Sequence, residues 1–144
     1  MDKLQIYLDD IRTPTDKEWI VVRSYEEFVS QIETKGLAAF SCISLDHDLS
    51  DSAMLEYGRS VSTKVIDYSK IKEKTGYQAA KYLVELSMDS GIPLPQIHVH
   101  SANTVGSTNI IMYINNYLRS CGLRETCRWY SVQFTVDYPE YDDD

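Results

Sequence analysis

Acidic and imidazole side chains follow an apolar run in the middle of the chain. The run, residues 40–45, has the length and composition of a buried strand. It leads directly into Asp46, His47 and Asp48. Three titratable groups at the end of a buried strand are costly unless a cation, an opposite charge or a bound substrate compensates them. The stretch therefore indicates a site for a metal ion or an anionic ligand.

Two other apolar runs end in side chains of the same kinds. Residues 6–8 run into Asp9 and Asp10, and residues 97–99 run into His100. The carboxyl ends of parallel strands meet at one edge of a sheet, and neighbouring strands lie about 4.8 Å apart. We therefore expect one group of side chains to share a metal-coordination sphere and its surroundings. Its members are Asp9, Asp10, Asp46, Asp48 and His100.

Strands and helices that could carry these side chains alternate along the chain. Apolar or β-branched runs predict strands at residues 4–8, 19–23, 40–45, 97–99 and 128–136. Capping residues and apolar spacings predict helices that start at Ser24, Gly76 and Gly106 and end at Gly36, Gly91 and Gly122. Residues 11–14 are expected to form a polar loop. This order predicts an α/β fold, a flavodoxin-like three-layer sandwich whose mostly parallel five-stranded sheet has the strand order 2-1-3-4-5.

Length and composition indicate one domain. The chain has 144 residues, of which 43% are hydrophobic and 25% charged. This composition suits a single hydrophobic core, and 144 residues are too few for two independent cores. We expect the domain to span residues 1–136, with an insertion at about residues 50–75 and an acidic C-terminal tail at residues 137–144. The insertion is expected because the pattern of elements breaks down there for longer than an ordinary loop.

Charge and hydropathy limit the expected partners. A net charge of -8 opposes binding to long duplex nucleic acid, but it leaves a small phosphorylated nucleotide-like ligand or an RNA end as a partner. No stretch approaches the roughly 20 apolar residues that a membrane span needs, so we expect no membrane contact and a cytoplasmic location. The three cysteines lack the number and spacing of a disulfide framework or a zinc site.

An acidic pair after the first strand and an aspartate after the third resemble the receiver domains of two-component response regulators. In those domains such carboxylates hold a magnesium ion beside a phospho-accepting aspartate. They also need a lysine at the end of the fifth strand, whereas this chain has no lysine after Lys81. Arg128 is a poor substitute because its guanidinium is a wide planar fork rather than a point charge. A phosphorelay role is therefore disfavoured.

The chain is more similar to the cyclic-phosphate-processing receiver-like family, over about residues 4–120. The shared motifs are Leu8-Asp9-Asp10-Ile11-Arg12-x-Pro14, Trp19 with Arg23-Ser24, Leu45-Asp46-His47-Asp48-Leu49, Thr75-Gly76, and His100-Ser101-Ala102-Asn103 followed by Gly106. Thr104 stands where the family often has proline, which affects only local loop geometry. The resemblance implies a receiver-like fold and activity on cyclic phosphates formed in RNA or nucleotide metabolism, in a bacterial or phage setting.

Oxygen ligands at the strand ends favour Mg²⁺ or Mn²⁺ as the cofactor. Asp9 and Asp46 are the first candidates, because converging carboxylates repel each other unless a cation lies between them. Asp10 and Asp48 have three alternatives: they ligate the metal, orient a ligand through water, or cap the following turn.

The candidate catalytic residues are His100, Asp46 and His47. An imidazole titrates near neutral pH, so His100 could act as general acid or base; the alternative is a histidine that hydrogen-bonds the adjacent loop. His47 alternates with the two aspartates, so it faces the other side of a regular strand unless the strand end twists it inward. His98 lies inside its strand and is more typical of a core histidine.

Five further residues are candidates for substrate binding. Ser101, Asn103 and Gly106 are expected to shape a phosphate-binding loop ahead of a helix, and plain helix capping is the alternative. Arg12 and Arg23 could clamp a phosphate through two hydrogen bonds each, with surface ion pairs as the alternative.

Two functions of different classes remain. The first is a hydrolase, a metal-dependent phosphoesterase that opens a cyclic phosphate on a nucleotide, an ADP-ribose derivative or an RNA end. The metal on Asp9 and Asp46 would neutralise phosphate oxygens, while His100 protonates the leaving oxygen. The second is a non-catalytic receiver-like module that binds or sequesters a phosphorylated nucleotide or a protein partner. A homo-oligomer is open in either case.

Overall fold

The computed structural model describes residues 3–16, 18–49, 64–70 and 74–137. The strands in this part of the chain are β1 (Leu4–Leu8), β2 (Arg12–Pro14), β3 (Ile20–Val22), β4 (Phe40–Leu45), β5 (Gln96–Val99), β6 (Arg128–Trp129) and β7 (Phe134–Val136). The helices are α1 (Tyr25–Lys35), α2 (Gly76–Ser90) and α3 (Thr104–Ser120). Short 3-10 turns lie at Leu37–Ala39 and Tyr68–Lys70.

Five of these strands form one parallel sheet in the order β3-β1-β4-β5-β6. Numbered within the sheet, this is 2-1-3-4-5, so the predicted strand order is confirmed. Parallel strands of one sheet need crossover connections, and α1, α2 and α3 supply them between β3 and β4, β4 and β5, and β5 and β6. The chain therefore has the predicted α/β receiver-like fold.

Each helix begins at a residue whose side chain caps it. Ser24 accepts a hydrogen bond from the backbone N–H of Glu27, while the Glu27 carboxylate accepts from the N–H of Arg23 rather than from that of Ser24. Helix α2 starts with a complete capping box. Asn103 caps α3, so this helix begins earlier than the glycine predicted to start it.

Side chains of the sheet alternate between its two faces. One face carries aliphatic side chains that join all three helices in a single core. They are Ile6, Leu8, Ile43, Leu45, Ile97 and Val99 on the strands and Phe28, Ile32, Leu83, Ile110 and Ile114 on the helices. The intervening residues Tyr7, Ser44 and His98 pair in register on the opposite face. Trp19 packs edge-on against Tyr7 and Tyr130 lies against His98, so aromatic side chains form part of the layer on that face.

Two predictions of secondary structure, for residues 128–136 and for residues 11–14, were wrong. Residues 128–136 do not form one strand, because β6 ends at Trp129 and β7 leaves the sheet. Instead β7 pairs antiparallel with β2, so residues 12–14 form a strand rather than a polar loop. Each short strand supplies the backbone donors and acceptors that the other needs, which local sequence patterns do not reveal.

Much of the predicted insertion at residues 50–75 lies outside the described residues, as does the predicted tail apart from Asp137. Within the described part of the insertion, Ile66 is buried and Tyr68–Lys70 forms a turn. Among the helices in the described ranges, none is both long and apolar enough to cross a membrane.

Substituting Gly76 should destabilise the protein more than substituting a glycine that only needs left-handed backbone. The Gly76 N–H donates to the carbonyl oxygen of His47 at 2.9 Å, and a Cβ on Gly76 would overlap the carbonyl oxygen of Asp46. We expect Gly76→Ala to lower the free energy of unfolding by about 3 kcal/mol or more, measured by urea denaturation. Gly91→Ala is the control.

Gly91 has a φ of 72° and open space around it, so its substitution should cost only about 1 kcal/mol. Equal losses in the two variants would contradict the close approach of α2 to the end of β4.

Candidate functional site

The pairing of three neighbouring strands places their final polar residues side by side. Ile6, Ile43 and Ile97 pair in register, and the ladder continues as the N–H of Asp46 donates to the carbonyl oxygen of Leu8 at 2.9 Å. Each isoleucine lies three residues before a member of the cluster. These members are Asp9, Asp46 and His100, whose potential ligand atoms all lie within 4.8 Å of one another. The predicted convergence is therefore present for these three of the five residues.

His100 is held on every side. Its ring stacks on Tyr7 with centroids 4.0 Å apart, its Nδ1 lies 2.7 Å from Ser44 Oγ, and its Nε2 lies 3.0 Å from Asp9 Oδ2. A neutral ring with its proton on Nε2 satisfies both contacts, by donating to Asp9 and accepting from the Ser44 hydroxyl. Burial lowers the pKa of His100 below its ordinary value although Asp9 opposes this effect. His100 is 1% exposed and is absent from the described lining of the cavity, whereas Asp9 is part of that lining.

Asp9 is the best satisfied carboxylate of the cluster. Its Oδ1 accepts hydrogen bonds from the backbone N–H groups of Ile11 at 2.9 Å and Arg12 at 2.8 Å, and its Oδ2 faces His100. Burial raises the pKa of Asp9, but the hydrogen bonds from His100 and from these backbone groups outweigh burial and lower it. Asp9 is therefore ionised and fixed in orientation.

Asp46 and Asp10 differ from Asp9 because little compensates their burial. Burial and then the charge of Asp9 raise the pKa of Asp46 well above its ordinary value, and a hydrogen bond from Ser101 only partly offsets them. Burial and the charge of Asp9 also raise the pKa of Asp10, to about 6. A divalent cation would relieve this repulsion, and carboxylate oxygens are ligands that suit Mg²⁺ or Mn²⁺.

A cavity of about 160 Å³ opens onto these carboxylates. Its lining residues are Asp9, Asp10, Ile11, Arg12, Asp46, Asp48, Ser101, Ala102 and Asn103. A water molecule takes about 30 Å³, so this volume suits a phosphate group with an ion rather than a whole nucleotide. A larger cavity of about 710 Å³ beside β1, β2 and β3 has only Lys3 and Glu18 as charged residues among its described lining.

The two arginines have different positions. Arg12 lines the cavity, with its Nε 4.0 Å from Asp9 Oδ2 and its Nη1 donating to the carbonyl oxygen of His100 at 3.2 Å. Arg23 instead donates to the carbonyl oxygens of Asp9 and Arg12, to the Thr13 hydroxyl and to Asp137. The guanidinium of Arg23 thus stabilises the chain after β1, whereas Arg12 is the arginine in the described lining of the cavity.

His47 is buried behind Asp48. Its Nδ1 lies 2.7 Å from Asp48 Oδ1 and its Nε2 lies 2.9 Å from the Tyr68 hydroxyl. Asn103 donates its side-chain amide to the same Asp48 oxygen at 3.0 Å. The strand end therefore turns His47 toward this rim, one of the two alternatives, but its ring contacts side chains and is absent from the described cavity lining.

The loop after β5 combines capping with contact to the cavity. Asn103 Oδ1 accepts the N–H of Gly106 at 2.8 Å, so that N–H is occupied and does not face an anion. Gly106 serves a different purpose, because a Cβ there would overlap the ring of His47. Ser101 accepts the N–H of Asn103 at 3.0 Å and hydrogen-bonds Asp46. Helix capping, the alternative to phosphate binding, is therefore present for Asn103.

Sequence reasoning missed the supports of the site. Tyr7 and Ser44, which hold His100, were read only as strand residues, and Tyr68 lies in the segment taken as an insertion. A signal for the first two exists. Residues 6–9, 43–46 and 97–100 share the pattern isoleucine, any residue, aliphatic residue, then aspartate or histidine. Because side chains alternate along a strand, the second residue of each run faces the same side as the fourth.

The fold and the cavity define a receiver-like domain with a carboxylate cluster at the carboxyl edge of its sheet. The family model for the Cyclic-phosphate processing Receiver domain matches residues 4–116, and the chain belongs to this family, as its motifs predicted. No curated protein and no solved structure matched the chain. The match includes every predicted site residue and ends before β6 and β7.

Asp46→Asn should stabilise the metal-free protein, increasingly so as the pH rises above about 4. An unfolded aspartate has a pKa near 3.9, whereas folded Asp46 keeps its proton to higher pH, so the folded state binds more protons and loses stability as the pH rises. Asparagine removes this penalty. We expect the free energy of unfolding to rise by about 1 kcal/mol or more at pH 7, measured by urea denaturation with a chelator present.

Asp89→Asn, at an exposed position on α2, is the matched control and should change stability little. A loss of stability in Asp46→Asn at pH 7, or the same gain at pH 4 as at pH 7, would contradict the uncompensated burial of this carboxyl group.

Proposed function

We propose that the protein is a metal-dependent phosphoesterase that opens a cyclic phosphate on a nucleotide, an ADP-ribose derivative or an RNA end. The observation that carries this proposal is the convergence of Asp9 and Asp46 in a cavity of phosphate size that Arg12 also lines. Family membership supports the cyclic phosphate as the group that is processed. A small nucleotide-like ligand also suits a chain with a net charge of -8 better than a long duplex does.

Asp9 and Asp46 are the residues that would hold the cation, with Asp10 and Asp48 beside them in the cavity. A bound Mg²⁺ or Mn²⁺ would neutralise phosphate oxygens and lower the pKa of a water molecule. In the reaction a water oxygen bonds to phosphorus and the water loses one proton, one ring P–O bond breaks, and the leaving oxygen takes up one proton, so that the net change is the addition of one water molecule. The general acid role predicted for His100 requires access that its buried ring lacks, so we assign His100 to holding Asp9 in position.

Among the cations in the described part of the chain, Arg12 is the one best placed to bind the phosphate. It lines the cavity, and its guanidinium packs over the Phe134 ring at 4.5 Å, which limits its rotamers. A guanidinium can donate two parallel hydrogen bonds to phosphate oxygens. Phosphate binding by Arg12 places the group against Asp9 and Asp46, where hydrolysis would occur.

The alternative of a non-catalytic module is not favoured. The family description refers to processing of cyclic phosphates, and the cavity brings carboxylates rather than only phosphate-binding donors to the ligand. Without a bound cation, a cluster of carboxylates would repel an anion that the module merely sequestered.

With Mn²⁺ or Mg²⁺ present, the protein should convert a nucleoside 2′,3′-cyclic phosphate to its ring-opened monoester, and a chelator should stop the reaction. Asp9→Asn and Asp46→Asn should each lower kcat/KM by more than about 100-fold, because each removes a charged ligand of the cation. Product is measured by chromatography. Asp89→Asn, remote from the cavity, should keep full activity, and undiminished turnover in both site variants would contradict the proposal.

Arg12→Gln should raise KM for the cyclic phosphate by about tenfold or more, because a charged, bidentate donor is replaced by a neutral one. Initial rates over a range of substrate concentrations separate KM from kcat. Arg124→Gln, an exposed arginine outside the cavity lining, is the matched control. An unchanged KM in Arg12→Gln would remove this residue from phosphate binding.

A further inference from the structure

Exposed aromatic side chains gather in one short segment of the protein. In the described part of the chain, the large aromatic residues that are exposed are Trp129, Tyr130 and Phe134, at 53%, 47% and 37%. The other exposed large apolar side chains are aliphatic or methionine and lie at Val65, Met88, Met112 and Leu123. Large aromatic rings that are exposed within six residues of the sequence are candidates for contact with a ligand.

This aromatic segment, residues 129–134, is attached to the cavity at two points. The indole N–H of Trp129 donates to the carbonyl oxygen of Ser101 at 2.9 Å, and Ser101 lines the cavity and hydrogen-bonds Asp46. Phe134 lies under the guanidinium of Arg12, which also lines the cavity. Two of its exposed rings are therefore fixed against residues of the proposed phosphate site.

The size of the cavity leaves most of a nucleotide outside it. A volume of about 160 Å³ holds a phosphate group and an ion, so the sugar and the base of any nucleotide bound there must lie on the adjoining surface. The aromatic segment lies beyond residues 4–116, the part that matches the family. It is thus a feature of this chain in addition to the family's own motifs.

We infer that the aromatic segment is the nucleobase-binding surface of the site, with the base of a nucleoside phosphate stacked on Trp129. This inference rests on the proposed phosphate site and narrows its substrate to cyclic phosphates that carry a base. Stacking on an aromatic ring tolerates every base, because each presents a π face. Arg128, which directly precedes the segment and whose guanidinium lies 5.9 Å from the Tyr130 ring, adds a cation beside it, and cations beside aromatic rings are common at single-stranded nucleic acid sites.

Kinetics with and without a base test the stacking. Trp129→Leu should raise KM for cytidine 2′,3′-cyclic phosphate about tenfold and leave KM for glycerol 1,2-cyclic phosphate, which has no base, unchanged. Trp129→Phe, which keeps an aromatic ring, should have a KM for the cytidine compound close to that of the wild-type protein. Met112→Ala, which truncates a similarly exposed side chain on α3, should change neither KM.

Equal changes of KM for the two substrates, or no change for the cytidine compound, would overturn the inference. If the wild-type protein turns over neither compound, the proposed hydrolysis fails. A binding measurement then decides whether a base stacks on Trp129, so failure of the proposed hydrolysis and failure of the stacking can be told apart.

Fluorescence provides that binding measurement. The chain has two tryptophans, so Trp19→Phe leaves Trp129 as the single tryptophan emitter. Cytidine monophosphate should quench this emission saturably, whereas glycerol phosphate at the same concentrations should not. Quenching of equal size by both compounds, or by neither, would overturn the inference. This measurement keeps the Trp129 side chain, so it does not depend on whether Trp129→Leu folds.

The base can come from a free nucleotide or from an RNA end, and a third substrate separates these sources. A short single-stranded RNA that ends in a cyclic phosphate should show a lower KM than the mononucleotide if the segment binds more than one base. Equal KM values identify the mononucleotide as sufficient. In both cases the result that supports stacking is a rise of KM by about tenfold in Trp129→Leu.

Discussion

The in-register pairing of β1, β4 and β5 is the constraint on which the site depends. Because Ile6, Ile43 and Ile97 lie side by side, the residue three positions after each must reach the same edge of the sheet. The aliphatic positions in this pattern are anchored in the core that the helices cover. A slip of one residue in any strand would turn its polar end residue to the other face and expose its aliphatic side chains. Core packing therefore enforces the geometry of the carboxylate cluster.

Burial of the carboxylate cluster lowers the stability of the metal-free protein. Asp9 has hydrogen bonds that keep it ionised, whereas Asp46 lies in the same buried region with a raised pKa and little compensation. Such an arrangement is unfavourable in the metal-free protein and becomes favourable when a cation balances the charge. The buried ring of His100 adds rigidity, because Tyr7, Ser44 and Asp9 hold it from different sides.

Segments distant in the sequence complete the rim around the cavity. Strand β7 pairs with β2, and Arg23 donates to Asp137 and to the backbone between Asp9 and Arg12, so the end of the described chain is fastened beside the cavity. The same arrangement brings Phe134 under Arg12, and the end of β6 brings Trp129 to Ser101. The domain thus combines a carboxylate cluster, built at strand ends within the family match, with contacts from residues outside that match.

The sequence by itself determined the strand order, the family and the meeting of Asp9, Asp46 and His100. Apolar runs, helix caps and motifs are local patterns, and the general topology of open α/β sheets then brings the strand ends to one edge. Tertiary structure alone decided what each side chain contacts. It directed the Arg23 guanidinium to the carbonyl oxygens of Asp9 and Arg12, and it placed the buried His47 ring against Asp48. It also separated residues 128–136 into two strands. Those outcomes depend on hydrogen bonds between residues far apart in the chain, whose partners are selected only when the whole core packs.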